Sequence, residues 1–153
     1  MPEERIAAAV GRLSASGVAV DVSAQDPATR YEATRPAYRM QVYVDPSRFI
    51  GLEFDLLDVD GSVRLHYFVD SGRYDVSQPR YAWYLSAIAT DVVLFLEALA
   101  DGGLLAKVEG RRASVIVPTG GGSLLVSRGR IWTSAGRYRG DRDSATSKGF
   151  LPV

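Results

Sequence analysis

The chain has 153 residues and a mass of 16.6 kDa, enough for one domain and too little for two that each bury a sizeable core. With 46% apolar and 24% charged residues it has the composition of an ordinary globular protein, which excludes wholesale disorder. Eighteen basic residues balance eighteen acids, so the basic excess of a dedicated nucleic-acid or membrane-surface protein is missing. The absence of cysteine excludes disulfides and thiolate chemistry, and a single histidine, His66, excludes a multi-histidine metal centre.

The first residues, Met1-Pro2-Glu3-Glu4-Arg5, carry two acids and no long apolar run, unlike a secretory signal. Residues 3–13 read as a short helix, with Ile6, Val10 and Leu13 recurring at four and three residues and acids in the first turn. Ser16-Gly17 stops it. Residues 18–22 are a short strand candidate, and 25–36, with two prolines and no apolar period, read as a loop. Residues 38–44 alternate, placing Tyr38, Met40, Val42 and Val44 on one face. Strands over 49–59 and 62–70 follow, joined by Asp60-Gly61. That dipeptide suits a two-residue type I′ turn with Val59 opposite Ser62.

This register turns Ile50, Leu52, Phe54 and Leu56, with Leu65, Tyr67 and Val69, toward a core. The reverse face then pairs Leu57 with Arg64, Asp55 with His66 and Glu53 with Phe68, a mixed, charged surface open to water or a partner. Pro79, with Ser77 as cap, opens a long helix whose stripe is Leu85, Ile88, Val92, Phe95, Leu96 and Leu99, closed by Gly102-Gly103. Asp91 and Glu97 interrupt its apolar run, against a membrane span. Strand candidates over 104–108, 113–117, 123–126 and 130–133 complete the chain before a small, polar end. The expected fold is therefore α+β: an antiparallel sheet covered by one long central helix, with a short N-terminal helix. It forms a single domain over 1–140 with a flexible C-terminal tail over 141–153.

Catalytic patterns are missing. No serine lies in a Gly-x-Ser-x-Gly elbow, and His66 beside Asp55 reads as a cross-strand polar pair. Asp58-x-Asp60-Gly61 lacks the other ligands of a calcium loop, and Gly120-Gly121-Gly122 precedes a strand instead of the helix N-terminus that a phosphate cradle needs. No catalytic residue, metal site or cofactor is expected. Arg128, Arg130, Arg137, Arg139, Arg142 and Lys148 around Trp132 and Tyr138 could meet nucleic acid, but read better as a solvated strand and tail. Charge is uneven, with ten acids against four arginines over 45–101 and eight basic residues against three acids over 108–153. Arginine outnumbers lysine sixteen to two, a composition suggesting a GC-rich bacterial source.

The run Val63-Arg64-Leu65-His66-Tyr67-Phe68-Val69-Asp70, then Tyr74, then the apolar helix closed by glycines, resembles bacterial polymorphic-toxin immunity proteins. The group concerned includes the antitoxin of the mycobacterial NAD-degrading necrotising toxin, and the likeness spans about 40 residues. The Trp-Tyr pair usual after that strand is reduced here to Tyr74. The resemblance implies a small cytoplasmic protein, not an enzyme, that covers a cognate toxin's active site. The expected partner-binding residues are Glu53, Asp55, His66 and Phe68, the acids setting register and on-rate and Phe68 supplying apolar area. Two alternatives stand beside this reading. One is a secretion-chaperone-like homodimer built on the 85–99 helix; the other is a small-ligand domain with Tyr81, Trp83 and Tyr84 at a pocket mouth.

Overall fold

Pro27 and Pro36, which read as marks of a loop, stand in the two turns that bound a strand. In the computed structural model, which describes residues 1–129 and 132–153, helix α1 (Pro2–Ala15) is followed by strands β1 (Asp21–Gln25) and β2 (Ala28–Arg35). Then come β3 (Tyr38–Asp45), β4 (Phe49–Leu57) and β5 (Val63–Asp70). These five form an antiparallel meander in the order β1-β2-β3-β4-β5. The 25–36 loop is thus corrected to part of a hairpin. Its strand escaped notice because its inward positions, Thr29, Tyr31 and Ala33, lack a run of large apolar residues.

The β4–β5 turn also differs from expectation. Only Gly61 has a positive φ, 82°, whereas a type I′ turn needs two such residues. Asp60 instead accepts hydrogen bonds from the backbone N–H and the hydroxyl of Ser62, at 2.9 and 2.6 Å, and Asp58 N–H donates to the Ser62 carbonyl. A bulge between Leu56 and Leu57 absorbs the longer loop, so Leu57 pairs with Val63 and not with Arg64. Beyond the bulge, Asp55 faces His66 and Glu53 faces Phe68, as the alternation predicts.

A 3-10 turn, Pro79–Tyr81, leads into α2 (Ala82–Ala100). Ser77 does not cap it; its hydroxyl donates to Asp75, 2.5 Å away. At the other end Gly102 takes φ 68°, and the N–H groups of Gly103 and Leu104 both donate to the Ala98 carbonyl, closing the helix. Strands β6 (Leu105–Glu109), β7 (Arg112–Thr119), β8 (Gly122–Arg128) and β9 (Thr133–Tyr138) form a second antiparallel sheet. Of the strand expected over 130–133, Arg130 and Ile131 lie outside the described residues. The chain is α+β with a long central helix, but the single sheet expected is two. Helix α2 packs along α1 and against β4, β5 and β7, so its one apolar stripe joins both sheets.

By composition alone Pro79–Ala100 is long and apolar enough to cross a membrane. In this fold Leu85, Ile88, Val92, Phe95, Leu96 and Leu99 are buried in the core with Ile6, Val10 and Leu13 of α1 and the inner face of β3 to β5. A homodimer built through that stripe would have to use residues already spent on the chain's own interior.

The C-terminal residues do not hang free. Asp141 accepts from Ser144 N–H and caps α3 (Arg142–Ser147), after which β10 (Leu151–Pro152) pairs with β6. Ala145 and Phe150 are buried against Leu105 and Ile116, on the face of the second sheet turned away from α2. Burial is what recruits this polar segment.

Near the centre, the Tyr67 ring stacks on Phe95 at 5.8 Å. Burial, and then the charge of Asp91, push its phenol up to about 12. Burial also raises Tyr31 and Tyr38, with Arg35 opposing it at Tyr38. A raised folded value favours the neutral phenol in the native state. Its contribution is therefore complete below about pH 10, the unfolded value, and is lost as pH rises through the folded one. Tyr67→Phe is expected to flatten the alkaline limb of stability, by roughly 1.4 kcal/mol at about pH 11, read from urea melts between about pH 8 and about pH 11. An unaltered limb would assign the alkaline loss elsewhere.

Candidate partner-binding face

Alternation in the first sheet leaves its outer face uncovered, and the register arranges that face in rows across the strands. One row runs Arg39, Asp55, His66; the next Asp21, Glu32, Gln41, Glu53, Phe68; the third Ser23, Arg30, Tyr43, Gly51, Asp70. All four residues expected to bind a partner lie here, in two adjacent rows.

They are not equivalent. Asp55 is largely covered and accepts from Arg39 Nη2 at 2.9 Å, with His66 Nδ1 at 2.6 Å from its other oxygen. Burial pushes its carboxyl up, but the hydrogen bonds and charges of His66 and Arg39 outweigh this and hold it below the usual carboxylate range. Asp55 is thus an internal clamp across three strands, and little of its charge is free to meet a partner. Glu53 is exposed and forms no ion pair among the described residues. Phe68 is 60% exposed and lies 5.9 Å from the His66 ring. As chemistry, Asp55–His66 is the orienter-and-base half of a triad. Among the described residues no hydroxyl is hydrogen-bonded to His66, so it lacks the nucleophile.

The second row brings like charges together. Asp21 lies directly opposite Glu32 on neighbouring strands, an arrangement that destabilises a sheet. Arg30, at 3.7 Å, relieves only Glu32. With Glu53 these acids make a negative stripe across the sheet, ending at an exposed aromatic. In the third row a Cβ on Gly51 would come within 2.8 Å of the Phe49 ring, so that ring lies over bare backbone. Tyr43, Phe49, Glu53 and Asp70 line a notch of about 180 Å³ there. Small-molecule sites start near ~300 Å³, so the notch suits one inserted side chain better than a free ligand.

No family model, curated protein or solved structure matches this chain.

An aromatic cluster adjoins the third row. Tyr74 stacks on Tyr81 at 4.7 Å and meets Tyr84 edge-on at 4.9 Å, and Trp83 packs on Tyr84 at 5.5 Å. Arg73 and Arg80 lie over Tyr74 and Tyr81, and the Tyr84 hydroxyl donates to the Asp70 carbonyl. Trp83 remains 61% exposed. The sequence suggested Tyr81, Trp83 and Tyr84 as a pocket mouth; their rings instead pack on one another and on Tyr74. Tyrosine, tryptophan and arginine are the residues that dominate binding energy at protein interfaces. The signal available beforehand was their density within eleven residues, 74–84. The accessible surface, 8711 Å², exceeds the about 7,600 Å² expected of a compact monomer of this mass, in keeping with a broad open face.

Proposed function

We propose that the chain is an immunity or inhibitor protein that binds a cognate bacterial toxin enzyme through the outer face of its first sheet and neutralises it by coverage. The observation that carries the reading is the uncovered acidic row, Asp21, Glu32 and Glu53, ending at exposed Phe68. Enzymes acting on nucleotides or nucleic acids present basic clefts to their substrates, and such a row attracts them at long range. Phe68 and the adjoining Tyr74–Trp83 cluster would supply the apolar area that slows dissociation. The resemblance noted in the sequence falls on β5, Tyr74 and α2, so it includes that edge of the face. Binding would occur in the cytoplasm of the producing bacterium.

A neighbouring reading frame that ends in a toxin domain is the first expectation. Against that domain, Glu53→Lys is expected to slow association about tenfold at low salt, with the difference shrinking as salt screens it. Phe68→Ala is expected to leave association unchanged and speed dissociation about tenfold or more. Stopped-flow kinetics separate the two effects. Wild-type kinetics in both variants would remove this face from the interface.

A further inference from the structure

The two sheets meet where β5 lies beside β7 and β8, and three arginines converge there. Val63, Arg64, Arg111, Arg128 and Gly129 line an open pocket of about 390 Å³. Arg64 comes from β5, Arg111 from the β6–β7 turn and Arg128 from the end of β8. Two of them already reach across the junction: Arg64 Nη2 donates to the Gly110 carbonyl and Arg128 Nη1 to the Val63 carbonyl.

These contacts hold the guanidinium groups in place without exhausting them. Each group carries five N–H donors; Arg64 commits two groups of contacts, to Asp58 and Gly110, and Arg128 one. Arg111 makes no hydrogen bond or ion pair among the described residues. The nearby acids are largely spoken for, since Asp58 pairs with Arg64 at 3.0 Å and Glu109 with Lys107 at 3.0 Å. Asp58 pairs with Arg64 and the charge of Asp60 also reaches it, whereas among the described residues Arg111 and Arg128 have no carboxylate partner, and gathering like charges is unfavourable unless something relieves it.

The geometry points to an anion site for a phosphate monoester group. At neutral pH such a group carries about −1.5 to −2 charges, enough to meet both Arg111 and Arg128, and its oxygens accept the forked donors that arginine presents. A single carboxylate would supply charge for only one of those two groups. Because Arg64 and Arg128 are positioned by folding, little ordering remains to be done on binding. Trp132, whose carbonyl accepts from the pocket's Gly129 N–H at 3.0 Å, is exposed, so a probe with an attached aromatic ring is included in the test. Arg64 shares the outer side of β5 with His66 and Phe68, so the site adjoins the candidate face, but none of the four residues proposed to bind a partner lines it, and it does not depend on the function proposed for them.

Isothermal titration at constant ionic strength, with inorganic phosphate and with adenosine monophosphate as probes, tests the assignment. Saturable binding of phosphate is expected, with Arg111→Gln weakening it about tenfold. Arg111 has no structural partner among the described residues, so this variant is expected to fold as the wild type does. Arg128→Lys keeps the charge but loses the fork, and is expected to weaken binding as well. Arg137→Gln, on β9 outside the pocket, is expected to bind as the wild type does. Tighter binding of the nucleotide than of phosphate would assign the site to a phosphate ester with an aromatic group, and equal binding to the phosphate alone. No saturable binding up to about 10 mM, or equal affinity in Arg111→Gln and wild type, would overturn the proposal.

Discussion

Phe95→Ala is expected to lower the folding free energy by about 3–5 kcal/mol, the largest loss of any single substitution considered for this chain. Phe95 is 1% exposed on α2 and meets Phe54 of β4 at 5.1 Å, edge to face, and Tyr67 of β5 at 5.8 Å. The ring therefore joins the helix to the first sheet, while Val92 and Leu96 beside it join the same core. Truncation removes its apolar area and leaves a cavity that its packed neighbours cannot close. Small domains are stable by only about 5–15 kcal/mol, so the variant should sit near its unfolding midpoint in mild urea. Urea melts with an unchanged slope and a lower midpoint would give the loss directly. A cost under about 1 kcal/mol would mean that α2 is not seated as described.

Removing residues 141–153 is expected to cost about 2–4 kcal/mol and to expose apolar surface, although these residues read as a dispensable end. Phe150 is 7% exposed and Ala145 fully buried, and between them they cover Leu105 and Ile116. Truncation also strips β6 of its β10 partner, leaving an edge strand unpaired. The truncated chain should therefore melt at lower temperature, bind a hydrophobic dye and tend to associate. Phe150→Ala alone should give most of the stability loss with the chain length unchanged. Full stability in the truncated chain would return the segment to the role of a loose tail.

The candidate face was legible to an unequal degree. Alternation in 49–57 and 63–70 was enough to put Glu53, Asp55, His66 and Phe68 on one side, because a half-buried strand admits only two ways of facing the core. The turn is longer than the Asp60-Gly61 dipeptide implies, yet the bulge at Leu56 and Leu57 takes up the difference before it reaches Asp55. The rest of the acidic row was hidden. Asp21 and Glu32 lie on β1 and β2, where every residue of β1 is exposed and β2 is built on small or polar inward residues, so neither shows an apolar period. Of the two partners of Asp55, His66 follows from the hairpin alternation, whereas Arg39 was out of reach because it comes from a third strand, β3.

By itself the amino-acid order determined what depends on near neighbours: α1 and α2 through their apolar spacing, the stop at Gly102-Gly103, the facing of β3 to β5, and the absence of thiol chemistry. The tertiary structure alone decided what depends on distant residues meeting. It split the strands into two sheets that both pack on one helix, drew 141–153 onto Leu105 and Ile116, and gathered Arg64, Arg111 and Arg128 from three segments. The physical reason is that helix and strand periods are local properties of the backbone, whereas the partner of an apolar face or a charge is chosen by competition among all the surfaces that the chain can bring together.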